Sequence, residues 1–123
     1  MTKLEQILQT VRTELGADFV ATDVVGMDGL SIAGVSTGAG FDSSAASARF
    51  AMVMKLASRV VDKIGMGVVD DSLVTTDRVY ILTRFLGDSS YYWGLSVTKE
   101  ATLGMVRMLM DEYADQLWAA IPR

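Results

Sequence analysis

The chain has 123 residues, half of them hydrophobic, and its eleven basic and fifteen acidic side chains leave a net charge of −4. This is too apolar for a disordered chain and too acidic for the clustered Lys and Arg that phosphate backbones demand, so no nucleic-acid partner is expected. Cysteine and histidine are both absent, which removes disulfides, thiolate metal sites, the usual zinc ligand and the usual general base, and leaves only carboxylate or lysine chemistry to an enzyme.

A chain of this length buries roughly two-thirds of its unfolded surface in a single core, so one domain over residues 1–123 is expected. No segment reaches the run of about eighteen uncharged apolar residues that a membrane span needs, and M-T-K-L-E-Q at the start lacks the apolar core of a signal peptide. A cytoplasmic protein without membrane insertion is the expectation.

Thr2 and Glu5 stand in the T-x-x-E spacing of a capping box, and Leu4, Ile7, Leu8, Val11 and Leu15 follow at helical intervals up to Gly16. A short amphipathic helix opens the chain. From Asp18 the pattern turns to F-V-A-T-D-V-V, then G-M-D-G, then L-S-I-A-G-V. Asp28-Gly29 between two β-branched runs predicts a hairpin, because these residues tolerate the positive φ of tight turns. The loop S-T-G-A-G-F, 36–41, precedes a helix and has the look of a phosphate cradle. It contains no lysine, Asp42 follows it, and the chain has no G-x-x-x-x-G-K-[ST], so a nucleotide site is not expected there.

The segment from Asp42 to Ile64 reads as one long helix of roughly 34 Å, with Asp42, Ser43 and Ser44 as capping side chains and Gly65 beyond its end. Phe50, Val53, Met54, Ala57, Val60, Val61 and Ile64 follow the spacing of a core-facing stripe. Ala45, Ala48, Met52 and Leu56 form a second apolar set rotated away from it, which needs a partner of its own, either another helix of this chain or another chain.

Three strands are predicted next, Ser72–Thr76, Val79–Leu86 and Tyr91–Val97, joined by the polar turns 76–78 and 87–90. The middle strand is apolar on both sides, which predicts a sheet covered on both faces. The first is short and suited to a sheet edge. Tyr91, Tyr92 and Trp93 are expected in the core or on the sheet surface, and Asp70 and Asp71 in a polar turn rather than a catalytic pair. A last helix is predicted from about residues 98–100 to Ile121, stopped by Pro122, with Leu103, Val106, Leu109, Met110, Tyr113, Leu117 and Ile121 facing the core. Gly104 within it predicts close passage of another backbone. Most of the eight methionines are expected to fill the core.

With the order helix, hairpin, long helix, three-strand meander, helix in place, four stretches resemble the Roadblock (dynein light chain) domain family and its MglB-type members. They are V-V-G-M-D-G-L-S-I-A (24–33), the alanine-rich long helix, R-V-Y-I-L (78–82) and A-T-L-G-M-V-R-M-L (101–109). The resemblance extends over almost the whole chain. It implies an α/β three-layer sandwich: a five-stranded antiparallel sheet, order α-β-β-α-β-β-β-α, with the long helix on one face and both terminal helices on the other.

The same resemblance implies a non-enzymatic adaptor that binds and regulates a small Ras-like GTPase, or scaffolds a signalling or motility complex, with no catalytic residue, cofactor or metal. It also implies a homodimer, or a dimer with a paralogous Roadblock chain. In that dimer the long helices pack side by side and the third strand pairs with its counterpart, which places Ala45, Ala48, Met52, Leu56, Leu73, Val74 and Thr75 at the interface. On the helix reading, Arg49, Lys55, Arg59 and Lys63 are positioned to meet an acidic partner surface. The alternative from another class is a domain that senses a small molecule held between sheet and helices near Tyr91, Tyr92 and Trp93.

Overall fold

Thr2 caps the first helix as the T-x-x-E spacing predicts: its Oγ1 accepts from the Glu5 amide at 3.2 Å. Helix α1, Lys3–Leu15, buries Leu4, Ile7, Leu8 and Val11 and ends at Gly16. A 3-10 turn, Gly16–Asp18, leads into β1, Phe19–Gly26, which pairs antiparallel with β2, Ser31–Ser36. Between them Gly29 takes φ +92°, and Asp28 Oδ1 accepts from the Leu30 amide at 3.0 Å. The long helix α2 spans Ser43–Ile64. It is followed by β3, Asp71–Thr75, β4, Val79–Leu86, β5, Tyr91–Thr98, and α3, Leu103–Ala120. The computed structural model describes residues 1–38 and 45–123 in full and the backbone of 43 and 44. The capping roles expected of Asp42, Ser43 and Ser44, and most of the glycine loop before them, lie outside the described residues.

All five strands form one antiparallel sheet in the order β2-β1-β5-β4-β3. Strands β2 and β3 are therefore its edges. Helices α1 and α3 share one face, where Leu8, Val11, Leu82, Trp93, Leu95 and Leu117 are among the most deeply buried side chains. Helix α2 covers the other face, over Val25, Tyr92 and Phe85. The β4 and β5 strands alternate as the pleat requires: Leu82, Leu86, Trp93 and Leu95 point to α1 and α3, Thr83, Tyr92 and Gly94 to α2.

Several expectations are corrected. Helix α3 starts at Leu103, later than predicted, because β5 runs on to Thr98 and a turn occupies 99–102. Gly104 then falls in the helix's first turn with open space around it, and no backbone approaches it. Met54 and Met110 are buried, but Met52, Met66, Met105 and Met108 are exposed, so most methionines do not fill the core. The stripe that α2 buries is Ser47, Ala51 and Met54, with Phe50, Ala57, Ser58 and Val61 half-buried beside it. Val53, Val60 and Ile64, expected in the core, are exposed. Apolar periodicity alone rotated the helix away from Ser47, a polar residue whose burial depends on a hydrogen bond across the layer.

Candidate interaction surface

Because α2 lies on the sheet through its Ser47–Ala51–Met54 side, the residues about 100° per step further round are turned outward. Met52 is 68% exposed, Leu56 60% and Ile64 62%, and Val53 and Val60 are exposed as well. Four of these, Met52, Leu56, Val60 and Ile64, recur every fourth residue and so form one ridge along the helix. The apolar surface continues past the helix, where Met66 and Val68 are exposed. A ridge this long on a surface helix has the spacing that ridges-into-grooves packing uses.

Edge strand β3 sits beside this helix: Ser72 Oγ donates to Met54 Sδ at 3.4 Å and pairs with Thr83 Oγ1 at 3.0 Å. Leu73, Val74 and Thr75 are exposed. One side of β3 is bonded to β4, and its other side has no strand in the sheet. Such an edge presents free N–H and C=O groups to a further strand.

Of the residues expected at a dimer interface, Met52 and Leu56 are on the crest, Ala48 is exposed and Ala45 is half-buried. Ala48 also backs onto the β1–β2 turn, where a Cβ at Gly29 would lie 3.4 Å from its Cα. Arg49, Lys55, Arg59 and Lys63 are all exposed. The ion pairs Arg84–Asp111 and Arg107–Asp71, the latter at 2.6 Å, involve none of them. Helical spacing puts Lys55 and Arg59 on one flank of this ridge and Val53 on its other side, with Arg49 and Lys63 along the ridge itself. A partner on the apolar flank thus leaves the basic flank open. Asp71, expected in a polar turn, stands at the start of β3 and is engaged by Arg107.

Sequence reasoning passed over the polar centre of this face. Asp23 Oδ2 accepts a hydrogen bond from Ser47 Oγ, and Tyr92 Oη donates to the Ser47 carbonyl at 2.6 Å. Burial raises the Asp23 carboxyl to about 6, with the Ser47 hydrogen bond acting the other way. Tyr92 is held above its ordinary value by burial and by the neighbouring Asp23. The one signal in the sequence was an aspartate within F-V-A-T-D-V-V at the same strand parity as Ala21 and Val25. Trp93 lies on the opposite face, where its Nε1 donates to Thr22 Oγ1 at 2.7 Å, and Tyr91 packs against Trp118. Tyr92 and Trp93 are buried in the core as expected, and the three aromatics that the alternative small-molecule reading placed at one site are split between the two faces.

Comparison with solved structures settles the fold. Myxococcus xanthus MglB superposes with a TM-score of 0.87, covering 97% of this chain and 94% of that one at 15% identity. The fold is Roadblock-like, of the MglB type. A Roadblock/LC7 domain from Streptomyces avermitilis gives a TM-score of 0.77 over 92% of this chain and 96% of its own, at 14% identity. Myxococcus xanthus MglC gives 0.66 over 98% and 100%, at 19% identity. No protein-family model matches the sequence, and neither does any curated protein. In this Roadblock-like frame the outward ridge lies on the central helix and β3 is the edge strand beside it. Among the described residues no helix is long and apolar enough to cross a membrane.

Proposed function

We propose that the chain is a non-enzymatic adaptor that self-associates through α2 and β3 and binds a small Ras-like GTPase. The observation that carries this reading is the exposed ridge Met52–Leu56–Val60–Ile64 beside an unpaired edge strand. Burying such a ridge against its own copy contributes about 25 cal/mol per Å² of apolar surface removed from water. In a two-fold dimer the same patch serves both subunits, so one self-complementary ridge suffices. Pairing β3 with its counterpart satisfies the edge groups at the same time. The fold is shared with MglB and MglC, and one solved MglB has a tetrameric arrangement, which favours assembly over a solitary domain.

On this reading Ala45, Ala48, Met52, Leu56, Leu73, Val74 and Thr75 contribute to the contact between copies, or between this chain and a paralogue. Arg49, Lys55, Arg59 and Lys63 meet the GTPase, steering an acidic surface toward the paired helices. Light scattering over a concentration range is expected to give twice the chain mass for the wild type and the single mass for Met52→Glu/Leu56→Glu. Lys55→Glu/Arg59→Glu, on the flank the dimer leaves open, is expected to keep the dimer and lose binding to, and any effect on hydrolysis by, the Ras-like GTPases of the source organism. A wild type that stays monomeric at all concentrations overturns the self-association. A dimer that neither binds nor alters any of those GTPases overturns the partner.

A further inference from the structure

Between α2 and the sheet lies a cavity of about 280 Å³ whose wall is built around one carboxylate. Asp23 stands in mid-strand in β1, and its register neighbours on both sides are glycines, Gly34 on β2 and Gly94 on β5. Neither glycine has a positive φ, so neither is explained by backbone freedom. What they leave is room. A Cβ at Gly94 would lie 2.9 Å from Asp23 Oδ1, and one at Gly34 would lie 3.4 Å from Asp23 Cβ. Ser47 Oγ satisfies Oδ2 from the helix side, while the space beside Oδ1 is kept clear by Gly94.

Among the described residues the lining contains no lysine or arginine, and its titratable groups are Asp23 and Tyr92. A carboxyl that titrates near 6 is mostly ionised at neutral pH, and among the described residues no cation stands in the wall to balance it. The rest of the lining is chiefly apolar, with the Phe50 and Tyr92 rings and Ile81 among it, and serine hydroxyls between. Among the described residues no cluster of three acidic side chains exists to hold a metal ion. A carboxylate at one end of a small apolar chamber with aromatic walls matches a cation that carries a short hydrocarbon body.

We propose that this cavity binds a small organic ammonium ion, with Asp23 as its counter-ion, Ser47 orienting the carboxylate, and the Phe50 and Tyr92 rings against the hydrocarbon part. The cavity is smaller than the roughly 300–1,000 Å³ of drug-sized pockets, so the ligand class is an amine of a few carbons. The site lies under α2, on the face away from the outward ridge, and it stands independently of self-association and of any GTPase.

The test is a titration of isotope-labelled protein with propylammonium chloride followed by amide NMR, against propanol and potassium chloride as the neutral and inorganic controls. At pH 7.5 the expected result is saturable shifts around Asp23, Ser47 and Gly94 with propylammonium alone. Affinity is expected to fall about tenfold at pH 5, where the carboxyl is largely protonated. It is expected to fall by a similar factor or more in Asp23→Asn, whose amide keeps the Ser47 hydrogen bond and so serves as the folded control. Gly94→Ala is expected to block the site; if that variant fails to fold, Gly34→Ala, with its longer contact, takes its place. Shifts that do not saturate, that appear equally with propanol or potassium chloride, or that persist undiminished in Asp23→Asn overturn the proposal.

Discussion

On the face that carries α1 and α3, eighteen buried side chains join in one apolar cluster; on the face that carries α2, the described residues bring three together, beside a half-buried carboxylate and a chamber. The first face joins Leu, Ile, Val and Met from two helices to Phe, Leu, Val and Trp from three strands. The second places Ser47, Ala51 and small residues such as Ala21 and Gly94 where large apolar groups would pack. Apolar material on α2 is instead turned outward, as Met52, Leu56, Val60 and Ile64. One face therefore carries most of the apolar core of the domain, and the other leaves much of its helix's apolar surface outside. On the proposed function, helix α2 serves a partner as well as the core, and its modest inner contact fits that division.

The sharpest way to break this comparison is to remove the largest buried group of the first face. Trp93→Ala is expected to cost about 3–5 kcal/mol, through lost burial, the cavity left behind and the lost indole hydrogen bond to the Thr22 hydroxyl, which still donates to the Gly94 carbonyl. In a domain whose total stability is about 5–15 kcal/mol, urea unfolding will show a midpoint lowered severely, or no folded baseline. Next comes Gly87→Ala at the β4–β5 turn. Gly87 has φ +55°, and a Cβ there would overlap the Trp118 ring, which stacks near Tyr91 and Arg123. A cost of about 3 kcal/mol is expected from strain and displaced packing, read from the same unfolding curves. A loss below about 1 kcal/mol would mean that this end of the first face yields easily.

The contrast also explains which parts were legible in the sequence. Helix α1 and the core stripe of α3 were read correctly because a large apolar cluster imposes strict periodicity: Leu4, Ile7, Leu8 and Val11, then Val106, Met110, Tyr113 and Leu117, are all buried. The strands were found within a residue or so, since β-branched runs and polar turns such as Thr76 to Val79 mark them; Thr76 Oγ1 accepts from both the Arg78 and Val79 amides. Helix α2 was placed but turned wrongly. Its inner stripe is specified by a polar pair, Asp23 and Ser47, which lie 24 positions apart and which no periodicity connects. The outward set was legible in Met52 and Leu56, and Val60 and Ile64 were missed because an apolar side chain that waits for a partner has the same spacing as one that faces a core.

Asp23→Asn sharpens the comparison in the opposite direction, by relieving the second face. The unfolded chain releases this proton near the ordinary 3.8, while the folded protein holds it until about 6. Between those values the folded state binds more protons, so stability is lost as pH rises through the window, and the full penalty is present above it. A shift of about two units corresponds to at most about 3 kcal/mol. The neutral amide avoids the ionisation penalty but still buries a polar group, so a gain of about 1–2 kcal/mol is expected at pH 7.5 and almost none at pH 4. Thermal melts of both proteins across that range provide the check. A difference that stays flat with pH would show that the carboxylate is solvated and that the face is less strained than its burial implies.

The smallest expected effect is the most informative about α2. Val60→Ser/Ile64→Ser removes apolar groups that the chain by itself leaves in solvent, so each change should alter the stability of the monomer by no more than about 0.5 kcal/mol. At concentrations where the wild type self-associates, the same pair should lower the midpoint of unfolding, because only the assembled state buries the ridge and binding adds to apparent stability by mass action. Denaturation at a dilute and a concentrated protein level separates the two contributions. A loss that is equally large at both levels would place Val60 and Ile64 against their own chain, make the second face as closed as the first, and remove the physical reason for α2 to seek a partner.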